Sequence, residues 1–136
     1  MAVRQLSVFI ENKKGMLVEV TRALKDAGID IRALSLAETE YYGILRLIVS
    51  DFDKAYEAVL KTGRTVKINH VLALRVDDRP GGLSDALELL NRESINVEYM
   101  YAFICPEPGR ADVVLRVSDT QTAEKLLRGA GFEVLG

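Results

Sequence analysis

Leu6, Val8 and Ile10 alternate with Ser7 and Phe9, the period of a half-buried strand. The period then lengthens. Met16, Leu17, Val20, Ala23, Leu24 and Ala27 recur at helical spacing, and Gly28 follows as a helix stop. Residues 29–36 read as a second strand, Tyr41-Tyr42-Gly43 as a turn region and residues 44–49 as a third strand. Ser50-Asp51 supplies caps for a second helix whose apolar face is Phe52, Ala55, Tyr56, Val59 and Leu60. Gly63 ends it, and residues 65–68 make a short fourth strand. The order is β-α-β-β-α-β.

The same succession returns. At an offset of 66, Gly15, Leu17, Leu24 and Ile29 coincide with Gly81, Leu83, Leu90 and Ile95. At an offset of 68, Leu47, Val49, Ser50, Asp51, Ala55, Gly63 and Val66 match Leu115, Val117, Ser118, Asp119, Ala123, Gly131 and Val134. The change of offset falls at the turn-rich run Cys105-Pro106-Glu107-Pro108-Gly109, where length varies at small entropic cost. Leu72, Leu74 and Val76 give the first strand of the second copy, and Leu83, Ala86, Leu87 and Leu90 its first helix face. Residues 95–103 and 111–117 form a hairpin pair. Ala123, Leu126, Leu127 and Ala130 line the last helix, Gly131 stops it, and residues 132–135 close the pattern. The expected fold class is α+β: two tandem ferredoxin-like units, residues 1–69 and 70–136, each a four-stranded antiparallel sheet with two helices on one face. Only Asn69 and His70 remain to connect them. Units of this size bury little surface alone, so each is expected to pack on a neighbour.

Composition narrows the function. A net charge of −2 offers no basic field for nucleic acid or an anionic membrane. No apolar run approaches the roughly 18 residues of a membrane span, and the N-terminus lacks a signal-peptide core. A single cysteine, Cys105, excludes an intrachain disulfide and fits a reducing compartment, so a cytoplasmic location is expected. His70 is the only histidine and stands far from Cys105, which gives no nucleophile pair. No cluster has metal-ligand spacing, and no Gly-rich phosphate loop is present. No enzymatic activity and no cofactor are expected.

The duplicated chemistry lies where the first strand of each copy meets the first helix. There Asn12-Lys13-Lys14-Gly15-Met16-Leu17 corresponds to Asp78-Arg79-Pro80-Gly81-Gly82-Leu83. A helix start presents unpaired N–H groups and a positive dipole end, a setting for a carboxylate. With Gly28-Ile29-Asp30-Ile31 and Ser94-Ile95-Asn96-Val97 opening the second strands, the chain resembles the ACT domain over nearly its whole length, as two tandem units without an attached catalytic domain.

That resemblance implies a regulatory module binding a small ligand, usually an amino acid, where two units meet. The strand–helix loop of one unit would hold the ligand's backbone groups, helped by a polar residue at the start of the other's second strand. Carried over by position, the ligand-binding residues are Asn12, Lys13, Lys14, Gly15, Met16, Leu17 and Asp30 in the first copy. The second copy supplies Asp78, Arg79, Pro80, Gly81, Gly82, Leu83 and Asn96. Asp78 and Asp30 stand where the family pattern has asparagine. Head-to-tail pairing would therefore give one site with Asn12 and Asn96, competent for an amino acid. The other, with Asp78 and Asp30, would be vacant or take a positively charged ligand.

Plainer readings stand beside these. Asn12 and Asp78 could be helix caps, and Gly15 and Gly81 could serve backbone conformation alone. Lys13, Lys14 and Arg79 read as solvated charges, Tyr99, Tyr101 and Phe103 as packing along one strand face, and Met16 and Met100 as core. The expected protein is an amino-acid sensor that forms a homodimer and works with a separate amino-acid metabolic enzyme. The alternative is a ligand-independent interaction subunit of an amino-acid biosynthetic enzyme.

Overall fold

The structure, a computed structural model, describes residues 3–135. Two compact units divide the chain, one comprising Arg4–Asn69 and the other running from His70 onward. The elements are β1 (Val3–Glu11), α1 (Met16–Asp26), β2 (Ile31–Glu38), β3 (Tyr42–Val49), α2 (Phe52–Leu60), β4 (Val66–Asp77), α3 (Gly82–Arg92), β5 (Val97–Phe103), β6 (Arg110–Val117), α4 (Thr120–Gly129) and β7 (Glu133–Leu135). Each unit is the expected α+β arrangement, and its strands pair antiparallel.

In the first unit the strand order is β2-β3-β1 followed by the opening of β4. Leu6, Val8, Ile10, Leu45 and Leu47 line one sheet face, and Val20, Leu24, Ala55 and Val59 of the two helices close over it. The core exists because strand positions two apart and helix positions three or four apart are both apolar. A side chain such as Leu24, fully buried there, is worth about 1.5–3 kcal/mol relative to exposure. The second unit orders its strands β5-β6-β4-β7 and repeats the core with Leu72, Leu74, Val76, Leu115, Ala86, Leu90, Ala123 and Leu127. Met16 and Met100 pack against these cores, as expected.

Two readings need correction. The sequence suggests separate strands at residues 65–68 and 72–76 with Asn69 and His70 as connector. Both residues instead lie inside the single strand β4. Asn69 is tolerated there because its Oδ1 accepts from Ser7 Oγ at 2.6 Å, which satisfies the amide within the sheet. The second strands also start later than residues 29 and 95. Ile29 and Ile95 are buried, but their N–H groups donate back to Leu24 and Leu90 carbonyls at 2.9 Å, closing the preceding helix. Among the described residues no helix is long and apolar enough to cross a membrane.

Candidate functional site

In each unit the register of the sheet brings the strand–helix loop beside a hairpin turn. Glu11 pairs with Tyr42, so the loop after β1 abuts the β2–β3 turn, and Asn12 N–H donates to Tyr41 O at 2.9 Å. Asp77 pairs with Arg110 likewise, and Asp78 N–H donates to Gly109 O at 3.0 Å. The two loops share an internal pattern: Lys13 N–H to Glu11 O at 2.9 Å, and Arg79 N–H to Asp77 O at 3.0 Å.

Gly15 and Gly81 occupy the helix N-cap positions with φ of 87° and 88°, a left-handed conformation that costs other residues about 1–2 kcal/mol. Neither helix start has a side-chain cap. The reading of Asn12 and Asp78 as caps is thereby overturned: each lies three positions before its N-cap glycine, with two residues between, so its side chain belongs to the loop and not to the first turn. Among the described residues, the N–H groups of Lys14, Gly15, Leu17 and Val18 meet no protein acceptor.

The second loop is more closed. Pro80 has no N–H, so only Gly81, Leu83 and Ser84 keep uncommitted donors among the described residues. Gly82 N–H reaches Arg79 O at 3.0 Å, whereas Met16 N–H lies 3.4 Å from Lys13 O. A Cβ at Gly81 would meet Arg79 Nη1 at 3.7 Å, whereas one at the matching Gly15 would meet nothing within 4 Å, and a Cβ at Gly82 would run into Asp77 O. The Gly82 position is thus filled by the protein's own backbone. Arg79 folds over its own loop, donating to Pro80 O at 3.2 Å and pairing with Asp85 at 3.3 Å.

Two hollows flank the first loop. One, of about 350 Å³, lies between Glu11, Asn12 and Lys13 and the turn residues Glu40, Tyr41 and Tyr42. The other, of about 70 Å³, is a recess with Ile10, Leu17, Leu36 and Gly43 on its walls. Leu17 is thus an exposed wall residue at the loop, while Leu83 is half-buried in the second copy. Lys13 pairs with Glu11 at 3.1 Å on the surface.

Beside the second loop a hollow of about 210 Å³ is lined by Arg75, Asp77, Arg79, Gly82, Arg110 and Phe132, among others. Arg75 is held there by the fully buried carboxylate of Asp112, through Nε and Nη2 at 2.8 and 2.9 Å. That hydrogen bond raises the guanidinium pKa above its ordinary value, against the opposing effect of burial. Arg75 also reaches Glu107 and Glu133, each at 3.3 Å, and Arg110 reaches Asp77 at 3.3 Å. The cations on this wall therefore all have carboxylate partners.

Asp30 and Asn96 do not join the loops of their own units. Ile31 pairs with Val49 and Val97 with Val117, whereas Glu38 pairs with Gly43 at the loop end. Asp30 and Asn96 thus sit at the opposite ends of their sheets, bonded through their N–H groups to Ser50 Oγ and Ser118 Oγ. Sequence reasoning missed Glu40, Tyr41 and Tyr42 as wall residues, and Arg75 and Arg110. Two adjacent tyrosines in a turn were the available signal for the first group. Among the described residues no three His, Cys, Asp or Glu side chains gather as metal ligands.

The family model of the ACT domain pair matches residues 1–131. Protein BT0572 from Bacteroides thetaiotaomicron is 39% identical, covers 99% of this chain and 92% of its own, and superposes with a TM-score of 0.93. The ligand-free regulatory subunit of aspartate kinase from Thermus thermophilus is 17% identical, covering 94% of this chain and 92% of its own at a TM-score of 0.68. The corresponding subunit from Thermus flavus is 15% identical, covering 93% and 91% at a TM-score of 0.64. A search of the curated proteins finds no match.

Proposed function

The chain belongs to the family of paired ACT domains, and on that premise we propose that it is a non-catalytic regulatory protein that binds a free amino acid at the loop Asn12–Leu17. The observation that carries this reading is the set of uncommitted N–H groups at Lys14, Gly15, Leu17 and Val18, at the positive end of α1. They suit the ligand carboxylate, Gly15 leaves room for close approach, and the Asn12 amide both donates and accepts. Asp30 sits at the far end of its own sheet, so the remaining wall of the site would come from another ACT unit, as in the family pattern. The second loop, with one donor fewer and Arg79 across it, is the weaker site.

A ligand bound only by the folded, assembled form stabilises that form by mass action, about 2.7 kcal/mol at a hundred times Kd. Regulation would follow through a homodimer, for which Leu34 and Leu36, both exposed on the outer strand β2, offer an apolar edge. The Thermus subunits are regulatory chains of this fold and similar length, which supports a separate enzyme as the regulated partner.

A thermal-shift screen of the full chain over the twenty amino acids tests the reading. One or two clear stabilisers, lost in Asn12→Ala and kept in Asp78→Ala, are expected. A flat screen together with a co-purifying enzyme would favour the ligand-independent subunit instead.

A further inference from the structure

The hollow between the first loop and the β2–β3 turn has a chemistry of its own. Tyr41 and Tyr42 keep 70% and 60% of their surface exposed on its wall, an unusual outlay of aromatic area on a single turn. Glu40, between the strand end and the tyrosines, has no ion-pair or hydrogen-bond partner among the described residues. The one cation on the wall, Lys13, is already engaged by Glu11 at 3.1 Å. The hollow therefore offers two exposed tyrosines and an excess of one negative charge. Its volume, about 350 Å³, accommodates a long side chain. The smaller recess by the loop, about 70 Å³ and walled by Ile10, Leu17, Leu36 and Glu38 among others, does not.

Resting on the amino-acid reading above, we propose that this hollow receives the ligand's side chain and selects a basic amino acid, one with a linear aliphatic stem ending in an ammonium or guanidinium group. The stem lies along the tyrosine rings, which attract a cation placed over their faces. Glu40 pairs with the charged tip. The α-carboxylate stays at the amides of the helix start, so the two ends of the ligand are read by opposite charges on either side of Asn12. Binding is then sensitive to salt, since both ends are held electrostatically near the surface.

Calorimetric titration of the full chain with L-lysine, L-arginine and L-norleucine tests this, because norleucine has the lysine stem without the ammonium group. A basic ligand is expected to bind at least about tenfold more tightly than norleucine, equivalent to about 1.4 kcal/mol. Glu40→Gln should remove most of that preference while leaving norleucine unchanged, and the double variant Tyr41→Ala, Tyr42→Ala should weaken all three. These side chains are exposed, and the turn is tied to the loop through the Tyr41 main-chain carbonyl, so the fold does not depend on them. If an aliphatic or acidic amino acid binds instead, with an affinity that Glu40→Gln leaves unchanged, this assignment is overturned and the sensor reading stands. If none of the twenty amino acids binds, both fall.

Discussion

Ser94 has φ of 58°, the sole positive value among the described residues other than glycine. It sits where Gly28 sits in the first copy, just past a helix end, with its N–H donating to Asn91 O at 3.0 Å. The helix stop needs a left-handed residue there, and a side chain makes that conformation cost about 1–2 kcal/mol. Ser94→Gly should therefore stabilise the protein by about 0.5–1 kcal/mol once the greater freedom of glycine in the unfolded chain is subtracted. A rise in the urea midpoint at constant slope is the expected readout.

Asp119 makes the other residue-scale case. Its carboxylate accepts from Thr122 Oγ1 at 2.6 Å and Thr122 N–H at 3.1 Å, and these bonds lower its pKa from the ordinary 3.8. A depressed carboxylate contributes stability that is fully present above its unfolded pKa and lost as pH falls through its folded one. The melting-temperature gap between wild type and Asp119→Asn should be widest near neutrality and close as pH falls from about 5 toward 2. A gap independent of pH would show that the cap acts without its charge.

At the scale of elements, most of the architecture was legible, because strand and helix differ in the period of their apolar positions. Leu6-Val8-Ile10 and Leu83-Ala86-Leu87-Leu90 declare themselves locally. What stayed hidden depends on partners distant in sequence. Asn69 and His70 read as a break because polar pairs end strands, yet Ser7, 62 residues away, satisfies Asn69 and lets β4 run through. The tyrosine wall arises only from the β1–β3 register, which no local pattern encodes. The duplicated loops also look alike in sequence while differing in tightness. Gly82 is required where Met16 is allowed, since Asp77 O, itself backbone, occupies the place of a Cβ. Gly82→Ala should cost more than about 2 kcal/mol, measured by urea unfolding, because the Asp77 backbone does not yield cheaply. Met16→Ala, at the matching position, should lose only part of a half-buried side chain.

At the scale of the whole molecule, the question is how many ligands a chain takes. Duplication suggests two, but the loops have diverged in the donors they offer. Lys14 contributes an N–H that Pro80 cannot, while the residues on either side of the two positions match: the preceding ones donate at 2.9 and 3.0 Å, and the following glycines share φ of 87° and 88°. Lys14→Pro therefore grafts the second loop's chemistry onto the first, at the position where the second copy carries Pro80. The free protein should melt at the same temperature or slightly higher, since proline restricts the unfolded chain. The ligand should bind about tenfold or more weakly, since a hydrogen bond to a charged group is worth about 1.5–3 kcal/mol. Calorimetry of the wild type should give one ligand per chain, with Asp78→Ala leaving that number unchanged. A stoichiometry of two with Lys14→Pro unaffected would mean that the donors at the first helix start are not what holds the carboxylate.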